Sequence, residues 1–223
     1  RDRVVPASYN TLLSVVNSTA SAKAVKVRFI EGKNSQEVLD FNLYLSGNDV
    51  WTAAVVPTVD GAKIVVGETA PGVKDTSCTL PNNVDGKAFV NFAYLGDKGG
   101  TSLDRTREGY IEIIEMGTIR GGSTLEEAVT HVAGVPDDCS YVKNSTAGAA
   151  VKDTVILGNS GGLFGSATLI SVLGGAMVGV DAEALHPQPA QEVAAHVQGE
   201  DPSRLEPAGL VEEEADRVPI ADR

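Results

Sequence analysis

Cysteine, tryptophan and histidine are scarce in this chain: two, one and three residues in a total of 223. Cys78 and Cys139 fall in neither a C-x-x-C nor a Cys/His spacing, which argues against a zinc site. They suit one disulfide in an exported protein or two buried thiols in a cytosolic one, and their number does not choose. Long apolar runs are missing too. The longest, Leu163 to Val180, is broken by glycines and by Ser166, Thr168 and Ser171. It falls short of the ~20 apolar residues of a spanning helix, so no membrane insertion is expected. The opening RDRVVPASYN has no apolar signal-peptide core, so an export signal is expected to have been removed or never to have been present.

Positive charge is also in short supply. Lys and Arg number 18 against 30 Asp and Glu, a net charge of −12. Nine acidic and three basic side chains lie between Ala190 and Arg223 alone. Nucleic acid is therefore not an expected partner, because phosphate contacts need clustered Lys and Arg. Solubility accounts for the acidic balance without a dedicated basic partner.

What the chain does have is β pattern. In AVKVRFI, Val25, Val27 and Phe29 face one way and Lys26 and Arg28 the other. In EVLDFNLYL, Leu39, Phe41, Leu43 and Leu45 point inward, Asp40 and Asn42 outward. Period-two alternation of this kind marks strands with one wet face. The turn residues EGKNSQ between them predict an antiparallel hairpin. TLLSVVN and VWTAAVVP are more continuously apolar and read as central strands. AKIVVGE, KAFVNFAY, YIEIIEM, DTVILG and LFGSATLISVL complete the set, with glycine, asparagine and proline between most of them. The expected fold is mainly β, an antiparallel β-sandwich, Ig-like or jelly-roll-like.

One short helix is expected near 124–133. Ser123-Thr-Leu-Glu126 has the form of a capping box. Leu125, Ala128, Val129 and Val132 recur at helical spacing, Gly134 suits the stop, and the helix should cover one end or edge of a sheet. The expected organisation is an N-terminal arm over 1–10, a single sandwich over 11–185 and an acidic Pro/Glu/Ala-rich tail over 186–223.

The stretch GNSGGLFGS places Ser160 among glycines, as in trypsin-like proteases. Nucleophilic use needs an imidazole in reach. His186 and His196 lie in the tail, and His131 is predicted on the helix, too near in sequence for a double barrel. Ser160 is expected to be a turn residue whose replacement by alanine changes nothing. Asn17-Ser-Thr and Asn144-Ser-Thr match a glycosylation pattern common by chance. Glu112 and Glu115, three apart on a strand, should not converge. The loop from Gly96 to Arg107, with Asp97 and Asp104, lacks the ligand pattern of a calcium site. Trp51 could stack on a sugar but is expected in the core.

Whole phrases carry a resemblance. TLLSVVN, AVKVRFIEGKNSQEVLDFNLYLSGNDVWTAA, REGYIEIIEMG, AVTHVAGVP-x-x-C and GGLFGSATLISV resemble a group of exported proteobacterial proteins of uncharacterised function, over about Thr11 to Ser171. The resemblance implies export and a Cys78–Cys139 disulfide, since matching cysteines recur in that group. It also implies a turn at Ser160, because the group reads GGLFGS without a protease-like serine before it. The tail does not resemble the group. A looser similarity of layout links the chain to β-sandwich matrix and pilus subunits, which join by donating a terminal strand.

The resulting expectation is a non-catalytic, exported structural protein, with no cofactor or metal. It would be a building block of a cell-surface or extracellular assembly such as a filament or pilus-like fibre, self-associating by strand exchange. The N-terminal arm, with the β-formers Val4 and Val5 and the limiting Pro6, is the expected donor. A glycan- or peptide-binding module using Trp51 or the Gly96–Arg107 loop is the alternative. A serine hydrolase using Ser160 comes third.

Overall fold

The alternation in AVKVRFI and EVLDFNLYL becomes a hairpin. β2 (Lys23–Glu31) and β3 (Glu37–Leu45) pair antiparallel, with Val25 opposite Leu43 and Phe29 opposite Leu39. A computed structural model describes residues 9–144, 155–157 and 160–185. The remaining strands are β1 (Asn10–Asn17), β4 (Asp49–Pro57), β5 (Ala62–Val66), β6 (Glu68–Ala70), β7 (Val73–Lys74), β8 (Cys78–Leu80), β9 (Gly109–Ile119), β10 (His131–Val132), β11 (Val135–Pro136), β12 (Val155–Leu157), β13 (Leu163–Ser171) and β14 (Ala176–Asp181). One sheet runs β14-β13-β1-β4-β5 and the other β12-β9-β2-β3-β8, all antiparallel. These are the layers of the expected β-sandwich, here called sheet A and sheet B.

Between the layers lies one apolar cluster. Leu13, Val15, Trp51, Val55 and Ile64 from sheet A meet Val25, Val27, Phe29, Phe41 and Leu43 from sheet B. TLLSVVN and VWTAAVVP form β1 and β4, which are interior strands of sheet A as their composition predicts.

The helix expectation needs correction. α1 covers only Thr124–Val129, with Ser123 Oγ accepting from the Glu126 amide as the capping box requires. It stops early because Thr130 turns extended and His131–Val132 pairs with Val135–Pro136 in a two-residue hairpin. Gly134 (φ +87°) serves that hairpin turn. A second helix, α2 (Cys139–Asn144), was not anticipated. Both helices cover one end of sheet B's outer face, where Leu125, Val129 and Val142 pack on Ala24 and Tyr44. The lid was anticipated; its second half was not.

KAFVNFAY is not a strand. Ala88 makes a single bridge to Lys63, then the Phe89 amide donates to Ala62 and the Val90 amide to Val38. The segment therefore crosses from sheet A to sheet B as a strap, ending in a 3-10 turn at Phe92–Tyr94. β14, by contrast, was not predicted. The strands of the two sheets run from Asn10 to Asp181. The proposed donor residues Val4 and Val5, with the tail histidines His186 and His196, lie outside the described residues. Among the described residues no helix is long and apolar enough to cross a membrane.

Candidate functional site

The two ends of the sandwich core carry buried charge, and β2 supplies both. The parity that turns Val25, Val27 and Phe29 inward also turns Lys23 and Glu31 inward, and both are fully buried. Each needs a partner, since an unpaired buried ion is costly.

At one end, Lys23 Nζ donates to Glu115 Oε1 at 2.5 Å and to Ser160 Oγ at 2.6 Å. Ser160 Oγ lies 3.0 Å from Glu115 Oε1 and 2.9 Å from Thr118 Oγ1. The amides of Ser160 and Gly161 both donate to the Glu115 carboxylate at 3.2 Å. Gly161 and Gly162 take φ of +72° and +79°, the turn expected of the glycines. A side chain at Gly162 would also collide with Thr19 Cγ2.

This arrangement ties Ser160 into a buried ion pair. A Ser–Lys dyad needs an amine free to take the serine proton. Here two of the amine's hydrogen bonds go to a carboxylate and to the hydroxyl itself. Ser160 is nonetheless more than a turn residue, which corrects the expectation that alanine would change nothing. Hydrogen bonds to charged groups contribute about 1.5–3 kcal/mol each, so Ser160→Ala should destabilise the exposed turn by about 1.5 kcal/mol. Urea unfolding measures this; an unchanged midpoint would contradict it.

His131 is remote from this cluster in its contacts. Its Nδ1 lies 2.8 Å from Ser46 Oγ and 3.5 Å from Asp49 Oδ2, while Ser46 Oγ donates to Asp49 Oδ2 at 3.1 Å. A serine, a histidine and an aspartate thus meet, but hydroxyl and carboxylate share one ring nitrogen. A catalytic triad needs them on opposite nitrogens.

At the other end, Glu31 accepts from the amides of Lys33, Asn34 and Gln36 and from Arg105. Arg105 also grips Asp97 through Nη1 and Nη2, at 2.9 and 2.7 Å, and its guanidinium lies over the Tyr94 ring. Burial works to raise the Glu31 carboxyl, but Arg105 and the three amides hold it below its ordinary value. The Arg105 hydrogen bond keeps Asp97 far below the usual carboxylate range. Asp97 and Glu31 thus share the Arg105 guanidinium, fastening the loop to the β2–β3 turn.

Trp51 is 1 % exposed and packs edge-on against Phe41. It touches the floor of a cleft of about 400 Å³ lined also by Asp75, Ser77, Asn82 and Asp85. The indole offers no stacking surface, and Asp75 and Asp85 accept from the amides of Ser77 and Val66. Asn17 of the first sequon donates to the carbonyls of Ser21 and Ser46 inside the fold, so it is not a glycan acceptor. Glu112 pairs with Arg28 while Glu115 pairs with Lys23, so the two glutamates do not converge. Among the described residues no three His, Cys, Asp or Glu side chains gather to hold a metal ion. Cys78 and Cys139 are bonded, tying β8 to α2.

The sheet edges differ sharply. β5 is sealed by the strap: Ile64 exchanges hydrogen bonds with Lys87 and Gly86, and the amides of Ala62 and Val66 find Thr106 and Asp85. β8 and β12 are three residues each. β14 is six residues long, and among the described residues no strand pairs with its outer edge. The Ala182 amide bonds to Gly165, so the alternation of an antiparallel ladder turns Val180 and Val178 toward β13. Met177, Gly179 and Asp181 then point their backbone groups away from the sheet. AMVGVD has no lysine, proline or bulge, the usual protections of an edge.

Sheet A's outer face is equally bare. Cross-strand rows run Gly179, Thr168, Leu12, Ala54, Val65, then Asp181, Ser166, Ser14, Thr52, then Phe164, Val16, Val50. The outer face of sheet B carries Lys26–Asp40 and Arg28–Glu112 ion pairs where the helices do not cover it. No protein-family model, no curated protein and no solved structure shows a significant match to this chain.

Proposed function

We propose that this protein is a non-catalytic, exported structural subunit that joins copies of itself by strand addition at β14, within a cell-surface or extracellular assembly. The open edge carries the reading: three consecutive outward-facing amide and carbonyl pairs, at Met177, Gly179 and Asp181, await a partner strand. Val178 is 57 % exposed even on the core side of its strand, so β14 overhangs the sandwich with both faces accessible. A disulfide is a feature of oxidising compartments and supports export. The N-terminal arm with Val4 and Val5 is the proposed donor, because only a chain end lies across another subunit without threading.

Val178→Lys tests this. The residue's own amide serves the β13 ladder, and its side chain reaches water, so the fold is kept while a charge is set on the edge. Assembly followed by sedimentation velocity should need at least about tenfold more protein for the variant. Deletion of Arg1–Ala7 should have the same effect. If both altered chains assemble like the parent, the proposal fails.

A further inference from the structure

We infer that the outer face of sheet A is a second, independent interface, packed face to face on the same surface of another copy of this chain. Continuously apolar strands belong in sheets covered on both sides. β1 and β4 have that composition, yet one of their faces is covered by nothing among the described residues. Leu12 is 45 % exposed, Val50 47 % and Phe164 61 %; Phe164 and Val50 share a cross-strand row through Val16, and Leu12 lies on the same face beyond the Ser166–Ser14–Thr52 row.

Size and charge point to a second copy as the occupant. Five strands spaced about 4.8 Å apart and some eight residues long present about 600 Å² of projected face, so two copies bury about 1,200 Å², enough for a specific interface. The strand residues of this face carry only two charged side chains, Lys63 and Asp181, on the opposite edge strands β5 and β14. Its centre holds none, so an isologous pairing sets no like charges against each other there. Ser14 and Ser166 lie 3.0 Å apart and hydrogen-bond to one another, so these two hydroxyls bury as a pair. Residues 186–223 of this chain suit the face poorly: its centre offers no cation to the acidic tail. This interface does not rest on the β14 edge.

The test is sedimentation velocity of the full chain over a range of concentrations, for the parent, Leu12→Lys/Val50→Lys and Val178→Lys. The parent and the edge variant should both form dimers, and the face variant should raise the dimer dissociation constant at least about tenfold, since it buries unpaired charge. Leu12→Ser/Val50→Thr, with circular dichroism matched to the parent, serves if the lysine pair does not fold, and should weaken the dimer in the same direction. A parent that stays monomeric at every concentration overturns the inference, whether the tail, a lipid surface or a foreign protein covers the face. Dimers that persist unweakened in a folded face variant overturn it equally. Loss of assembly in the edge variant alone would support strand addition and refute this face.

Discussion

Arg105→Ala should lower the free energy of unfolding by about 3–5 kcal/mol, the usual cost of stranding one partner of a buried ion pair. Glu31 is fully buried, and the guanidinium is its only cationic partner among the described residues. Three backbone amides remain on the carboxylate, but none carries a charge. The same substitution frees Asp97, uncovers the Tyr94 ring and removes the bond to the Gly100 carbonyl. Arg105→Lys should recover only part of the loss, since an ammonium cannot span two carboxylates as a planar fork does.

The pH dependence follows from the direction of the carboxyl shifts. Glu31 and Asp97 are both held below their ordinary values in the folded state. Their contribution is therefore fully present above the unfolded carboxylate values near pH 4 and is lost as the pH falls through the lower, folded ones. Arg105→Ala raises those folded values, so the gap between parent and variant should be widest at neutral pH and narrow below about pH 4. Urea denaturation across that range measures it. A gap that widens toward acid would contradict the assignment.

Cys78→Ser/Cys139→Ser should cost about 4 kcal/mol on the chain-entropy account, because the bridge closes a loop of 61 residues. The effect extends beyond the loop. α2 is a six-residue helix, too short to hold by itself, and it carries Val142 onto Ala24 and Tyr44. Losing the bridge should therefore loosen the cover of sheet B first, seen as faster amide exchange at Ala128 and Val129 than in β3. Two free thiols in the native protein by non-reducing mass spectrometry would refute the bond, and with it one support for export.

The layers were legible in the sequence because their signal is local. Alternation in β2 and β3 needs only nine residues each, and the EGKNSQ turn joins them. The buried charges were legible in principle. Counting back by two from Val25 puts Lys23 inward, and counting on from Phe29 does the same for Glu31. What no short window contains is the partner. Ser160 meets Lys23 across 137 residues and Arg105 meets Glu31 across 74. KAFVNFAY has strand composition but is carried between two sheets by contacts at Ala62 and Val38. AMVGVD carries a weak strand signal, since glycines precede and interrupt it, although it forms an edge strand of sheet A. The exposed face of sheet A was announced by the same continuous apolarity that marked TLLSVVN and VWTAAVVP as interior strands.

Hydrogen exchange at individual amides of β14, followed as protein concentration rises, tests strand addition most directly. In the free subunit Met177, Gly179 and Asp181 should exchange fast while Val178 and Val180, bonded to β13, exchange slowly. In the assembled state all five should be protected, the three outward amides gaining the most. Assemblies in which Met177, Gly179 and Asp181 still exchange as fast as in the free subunit would contradict the account.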